Sequence, residues 1–140
     1  MVGGLLGGAE LVGVLERGAR DPYVLLATGG ARAVYDADRP PGERVVSVEV
    51  GGAVLDPRRA YGVACSEMLA LGASGLVPPG TPHELLADTV DDVLVRRVAA
   101  CGTIRPTVDG RLVVRGRFPS SAGPSGEPTA AFAASRAGCA

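Results

Sequence analysis

The sequence predicts an α+β domain: a mixed, mostly antiparallel sheet built from hairpins, with helices flanking it. Three stretches carry that reading. Arg44–Val50 alternates as a half-buried strand does, with Val46, Val48 and Val50 on one face and Val45, Ser47 and Glu49 on the other. Gly51-Gly52 follows it, and two glycines can supply the positive φ angles of a tight hairpin turn. Residues 9–19 set Leu11, Val14, Leu15 and Gly18 on one face of a helix, with Glu10, Glu16 and Arg17 opposite. Thr89 with Asp92 is a capping pattern that opens a second helical stretch, whose Val90, Leu94 and Val98 share a face.

The remaining elements follow in chain order. Asp21-Pro22 ends the first helix, because the residue before proline is pushed out of helical geometry. Tyr23–Thr28 reads as a buried strand, Gly29-Gly30 as a turn and Ala31–Tyr35 as the returning strand. Asp36–Gly42, with Pro40-Pro41, is a loop. Ala53–Leu55 pairs back across the glycine turn, and Asp56–Arg59 leads into a strand over Tyr61–Cys65. Thr81-Pro82-His83-Glu84 has the form of a helix start: a hydroxyl cap, proline at the first helical position and glutamate three residues past the cap. Gly102 closes the helix that Thr89 opens. Asp109-Gly110 turns the chain into a short strand, Arg111–Arg115. Residues 117–140 are rich in Pro, Ser, Ala and Gly without periodicity, and disorder is expected there.

Composition narrows the function classes. A chain of 140 residues can bury one core. With 46% hydrophobic residues, 4% aromatic and no Trp, that core is built from Val, Leu and Ala. A net charge of −1 gives no basic excess to attract nucleic acid or anionic lipid. No apolar run is long enough to cross a bilayer. The first residues lack a cationic region and are interrupted by Glu10, so no signal peptide is read. Cys65, Cys101 and Cys139 stand at unrelated spacings and read as small hydrophobes rather than metal ligands. Two-metal hydrolysis needs several converging carboxylates and imidazoles, whereas the chain has a single histidine, His83. Gly72-Ala73-Ser74-Gly75 matches neither the phosphate loop nor the dinucleotide fingerprint. Ser66 has no nucleophile elbow around it. Asp88, Asp91 and Asp92 fit helix-capping and dipole roles better than a cation site.

From Tyr35 to Gly75 the chain keeps Tyr35-Asp36, Arg39-Pro40, Gly42, Arg44-Val45, Leu55-Asp56-Pro57, Tyr61 and Val63-Ala64 in one order and spacing. These motifs resemble the C-terminal domain of the 5'-nucleotidase / UDP-sugar hydrolase family of two-domain metallophosphatases. Cys101–Gly116 is similar to the close of the same domain. The resemblance covers about residues 5–116. It implies a 5'-nucleotidase C-terminal-like domain over 1–116, N-terminally incomplete, followed by the tail at 117–140. It also implies a strand over Val2–Leu6 whose sheet neighbours lie partly upstream, leaving an unpaired edge and uncovering Leu5, Leu6 and Leu11.

In the resembled family a metallophosphoesterase domain holds two metal ions and performs hydrolysis, and the C-terminal domain supplies the pocket for the base. The family clamps that base between two Phe rings, at positions matching Leu25 and Met68. Its NDFLA-x-GGDG stretch corresponds to Ser66–Gly75, so its first loop glycine matches Gly72 and its Asp matches Ser74. The substrate-binding positions implied by resemblance, in altered form, are therefore Leu25, Met68, Gly72 and Ser74. Leucine and methionine offer no π face, and serine is a weaker acceptor than a carboxylate. Nucleotide binding is expected to be weak or absent. No catalytic residue, metal ligand or cofactor is expected in this chain; divalent metals would sit in a metallophosphoesterase domain, upstream or in trans. The implied function is the substrate side of a phosphohydrolase in nucleotide breakdown, with a stand-alone, non-catalytic interaction module as the alternative. The family usually works outside the cytoplasm, and the compartment is left open.

Overall fold

The computed structural model describes residues 1–20, 26–70, 77–78, 80–104 and 108–118. Strand β1 (Val2–Gly7) runs directly into helix α1 (Gly8–Gly18). Strands β2 (Ala31–Asp36), β3 (Val45–Val50), β4 (Ala53–Val54) and β5 (Ala60–Cys65) follow, then the short helix α2 (Glu67–Ala70). Strand β6 (His83–Leu85), helix α3 (Val90–Cys101) and strand β7 (Leu112–Arg115) complete the described elements. They form an α+β fold with two sheets. One is antiparallel with order β5-β1-β6; the other has order β4-β3-β2-β7, and only its β2–β7 pair is parallel. The mixed, mostly antiparallel character matches the sequence reading, although the strands divide between two sheets.

Helix α1 forms where its periodicity places it and buries Val14, Leu15 and Gly18. Leu15 and Ala19, just past the helix end, pack on Ala33 and Tyr35 of β2 and Val48 of β3 to form the core. At the helix start the backbone is crowded: a Cβ on Gly8 would collide with the Asp56 carbonyl and Pro57. That approach lets Gly8 N donate to Arg59 O at 2.8 Å and Ala9 N to Pro57 O at 3.1 Å. Two first-turn N–H groups, which have no partner inside any helix, are thus satisfied by the loop before β5. The same loop is braced from within, since Asp56 N donates to Tyr61 Oη at 2.8 Å and Arg58 N to Asp56 Oδ1 at 2.9 Å.

The β2–β3 ladder contains a bulge that changes the predicted alternation. Val34 pairs with Ser47 but Tyr35 pairs with Val45, so Val46 is the extra residue. The bulge reverses the phase of the strand: Val45 packs against the core, whereas Val46 is 39% exposed. Val48 and Val50 keep their expected face. A carboxylate serves the irregular segment: Val45 N donates to Glu16 Oε1 of α1 at 2.5 Å. Next to it, Arg44 is only 4% exposed. Its Nη1 donates to Ala19 O at 2.7 Å and Arg20 O at 3.3 Å, and its Nε donates to Arg39 O at 3.1 Å. The Phe118 ring lies 5.0 Å from the guanidinium carbon, and Arg117 N donates to Asp38 Oδ1 at 3.2 Å. The first two residues after Gly116 therefore touch the domain, and residues 119–140 lie outside the described residues.

Several local readings are corrected. Thr81–Glu84 does not open a helix: His83–Leu85 pairs antiparallel with Val2–Gly4. Backbone groups of β1 that would otherwise lack partners override the local capping signal. As a consequence β1 is the central strand of its sheet, not an unpaired edge. Leu6 is buried and Leu11 half-buried, and only Leu5, at 67% exposure, fits the expected uncovering. Leu26–Thr28 is irregular rather than strand; the rest of that expected strand, with the Asp21-Pro22 helix stop, lies outside the described residues. Helix α3 has the expected Thr89 capping box and ends at Gly102, but its Val90–Leu94–Val98 face stays exposed. The Gly51-Gly52 turn forms as expected, with φ of 60° and 83°.

Two measurements test this packing. A chain ending at Phe118 should keep the urea midpoint of the full chain, whereas one ending at Gly116 loses the ring against Arg44 and the Asp38 hydrogen bond. The shorter chain should be less stable by about 1–2 kcal/mol; equal midpoints would show that the contact contributes nothing. Tyr35 is fully buried, and burial, reinforced by the Glu16 carboxylate, pushes its hydroxyl from 10.0 up to about 12. The folded state favours the neutral phenol, so this contribution is complete below pH 10.0 and is lost as the pH rises through about 12. Tyrosinate absorbance followed with a fold-sensitive probe should show one phenol ionising last, together with unfolding. Full ionisation near pH 10 in an intact fold would contradict this.

Candidate functional site

Of the four positions implied by resemblance, Leu25, Gly72 and Ser74 lie outside the described residues. Met68 sits on α2 and is 75% exposed. The described structure therefore does not bring these side chains together. It does show where the chain next to them goes. Leu26, which follows Leu25, and Leu69, which follows Met68, both line one cavity.

That cavity, of about 310 Å³, lies between α1, the inner face of the β1–β5 pair and the segment 26–31, with Val50 of β3 also in its wall. Register explains its walls. Val2 pairs with Cys65, Gly4 with Val63 and Leu6 with Tyr61, so these residues share a sheet face. The buried Val2 and Leu6 mark that face as the inner one. Leu11 and Val14 of α1 close the opposite side. The two hydroxyls in the lining each have one partner: Tyr61 Oη accepts from Asp56 N, and Thr28 Oγ1 donates to Ala31 O at 3.1 Å. Cys65 is a free thiol, pushed above its ordinary 9.0 by burial and pulled back less strongly by the amino terminus. The sequence reading missed this cavity because its residues carry the pattern of an ordinary core.

A second concavity, of about 500 Å³, lies at the turn end of the other sheet and is polar, lined by Arg32, Glu49, Asp109 and Arg111 among others. Arg111 is held by Asp109, whose carboxyl falls from 3.8 to about 2 chiefly through that hydrogen bond. Arg32 donates to the Asp109 carbonyl at 3.4 Å. The Asp109 carboxylate pairs with Arg111, and Glu49 in the same lining balances the charge of Arg32, which leaves little excess to hold an anion. Asp88 is paired with Arg96, and Asp92 caps Thr89. His83 lies exposed on the β6 edge with Nδ1 2.9 Å from Thr81 O. Among the described residues no three His, Cys, Asp or Glu side chains converge as metal ligands. The two-metal centre of the resembled family does not fit these residues. No helix among them is long and apolar enough to cross a membrane.

Comparison with known proteins matches this architecture. The 5'-nucleotidase C-terminal domain family matches residues 2–79, and the chain belongs to that family. Among solved structures, a 5'-nucleotidase precursor from Thermus thermophilus is similar, with 24% identity, a TM-score of 0.73 and 83% of this chain covered. The Thermus thermophilus sulfate thiohydrolase SoxB, solved with glycerol, is 29% identical with a TM-score of 0.56, again over 83% of the chain. A Staphylococcus aureus protein assigned as a 5'-nucleotidase, solved with alpha-ketoglutarate, gives 18% identity and a TM-score of 0.60 over 81%. The chain spans about a quarter of the length of each: 25%, 22% and 27%. No curated protein sequence matches it.

Proposed function

We propose that this chain is the substrate-side domain of a 5'-nucleotidase-like phosphohydrolase of nucleotide breakdown, with recognition of the base degraded. The observation that supports it is the family match over residues 2–79, joined to the altered residues at the base-clamp positions. Leu25, Met68, Gly72 and Ser74 are the substrate-side positions of this reading. A domain over 1–116 and a tail over 117–140 are its proposed organisation. Divalent metals and the phosphoester chemistry belong to a metallophosphoesterase segment, upstream or in trans, because this chain has one histidine and no converging ligand set among its described residues.

The alternative, a stand-alone interaction module without catalysis, draws support from one observation. Strand β1 is paired on both sides, so this sheet needs no strand from another segment to fill its centre.

The isolated chain should release no phosphate from AMP or UDP-glucose with Mn²⁺, Mg²⁺ or Zn²⁺; turnover that survives repurification would overturn the reading. A chimera tests the positive part, with this domain replacing the matching quarter of the Thermus 5'-nucleotidase. It should retain metal-dependent cleavage of p-nitrophenyl phosphate. Loss of two stacking rings, at ~1–3 kcal/mol each, should lower AMP turnover by at least about thirtyfold. A folded chimera that cleaves neither substrate would favour the stand-alone module. Full AMP turnover would show that the clamp positions are not impaired.

A further inference from the structure

We propose that the cavity between α1 and the β5-β1-β6 sheet is a binding site for a small hydrocarbon group, one with no hydrogen-bonding atoms in its buried part. The inference goes beyond the phosphohydrolase reading and does not depend on it. Three features carry it. The first is composition: Leu6, Leu11, Val14, Val63 and Leu69 supply apolar surface from both strands and both helices around the space. The second is that the two hydroxyls of the lining are each partly committed, Tyr61 Oη as acceptor from Asp56 N and Thr28 Oγ1 as donor to Ala31 O. A nucleobase placed there would leave unpaired those ring nitrogens and exocyclic groups that face Leu6, Leu11, Val14, Val63 and Leu69, which disfavours it against a hydrocarbon of equal size. The third is size: comparably apolar cavities of about 150 Å³ take up a benzene molecule, and this one measures about 310 Å³.

Met68 projects into solvent while the adjacent Leu69 turns into the cavity. On the β5–α2 side Val63, Cys65 and Leu69 are each only half-buried. Cys65 thereby becomes a reporter built into the wall, and Cys101, on α3 and absent from the lining, becomes its reference.

The experiment follows alkylation of both thiols by iodoacetamide in the full chain, read separately by peptide mass spectrometry. Cyclohexane is the probe, with adenosine as the polar counterpart. At ten times its dissociation constant cyclohexane should slow labelling of Cys65 by about tenfold, leave Cys101 unchanged, and adenosine should protect neither. Val63→Phe, which fills the space from β5, should slow Cys65 without ligand and abolish the response to cyclohexane. If that variant does not fold, Leu69→Phe on α2 serves the same purpose. Unchanged Cys65 labelling in cyclohexane, equal slowing at both thiols, or protection of Cys65 by adenosine would each overturn the proposal. So would a Cys65 that resists alkylation in the free chain, because its own residues would then fill the cavity.

Discussion

The fold depends on an exchange of hydrogen bonds between the C-terminal half of α1 and the first residues of β3. Glu16 of the helix accepts the Val45 amide, and Arg44, immediately before the strand, donates to the carbonyls of Ala19 and Arg20 just past the helix end. Each half meets a specific deficit. The bulge takes Val46 out of register, and the neighbouring Val45 amide is met by a side chain. The end of a helix leaves carbonyls without partners and carries partial negative charge, which a guanidinium relieves. Both links sit where water has little access, so removing either leaves a buried polar group unpaired. Through α1 the exchange couples the two sheets, because the helix continues directly from β1 and packs on β3.

This arrangement explains why the residues that carry the family resemblance sit where the packing uses them. Tyr35 fills the core, and Asp36 N and Arg44 O close the β2–β3 loop. Asp36 also holds the loop through the Asp38 amide and the Arg39 side chain. Asp56, Pro57 and Tyr61 build the loop that caps α1. Substituting any of these disturbs the packing of the whole domain. Met68 projects into solvent on a single turn of helix, where a change of side chain disturbs little else.

How much could be seen in the sequence follows from the range of each signal. Helix α1, the Thr89 capping box, the Gly51-Gly52 turn and the Asp109-Gly110 turn are encoded within a few residues and appear where expected. The helix signal at Thr81–Glu84 is equally local, but it yields to β1, some eighty residues distant in sequence. Bulge position is another non-local property: Arg44–Val50 alternates cleanly, and only pairing with Val34 and Tyr35 reveals that Val46 is expelled. The cavity was invisible for a similar reason, since its walls come from β1, α1, the segment 26–31, β3, β5 and α2. The family and its scaffold residues were legible in the motifs. Of the four substrate-side positions, the structure describes only Met68.

Hydrogen exchange at the Val45 amide tests the central exchange most directly. It lies beside the bulge at Val46, and its partner is the Glu16 carboxylate. Val45 should exchange as slowly as Asp36, whose N–H donates to the Arg44 carbonyl at 2.8 Å. Glu16→Ala should release Val45 far more than amides at the remote β1–β5 pair. Val45 exchanging in the unaltered chain as fast as the exposed Gly52 turn amide would contradict the account.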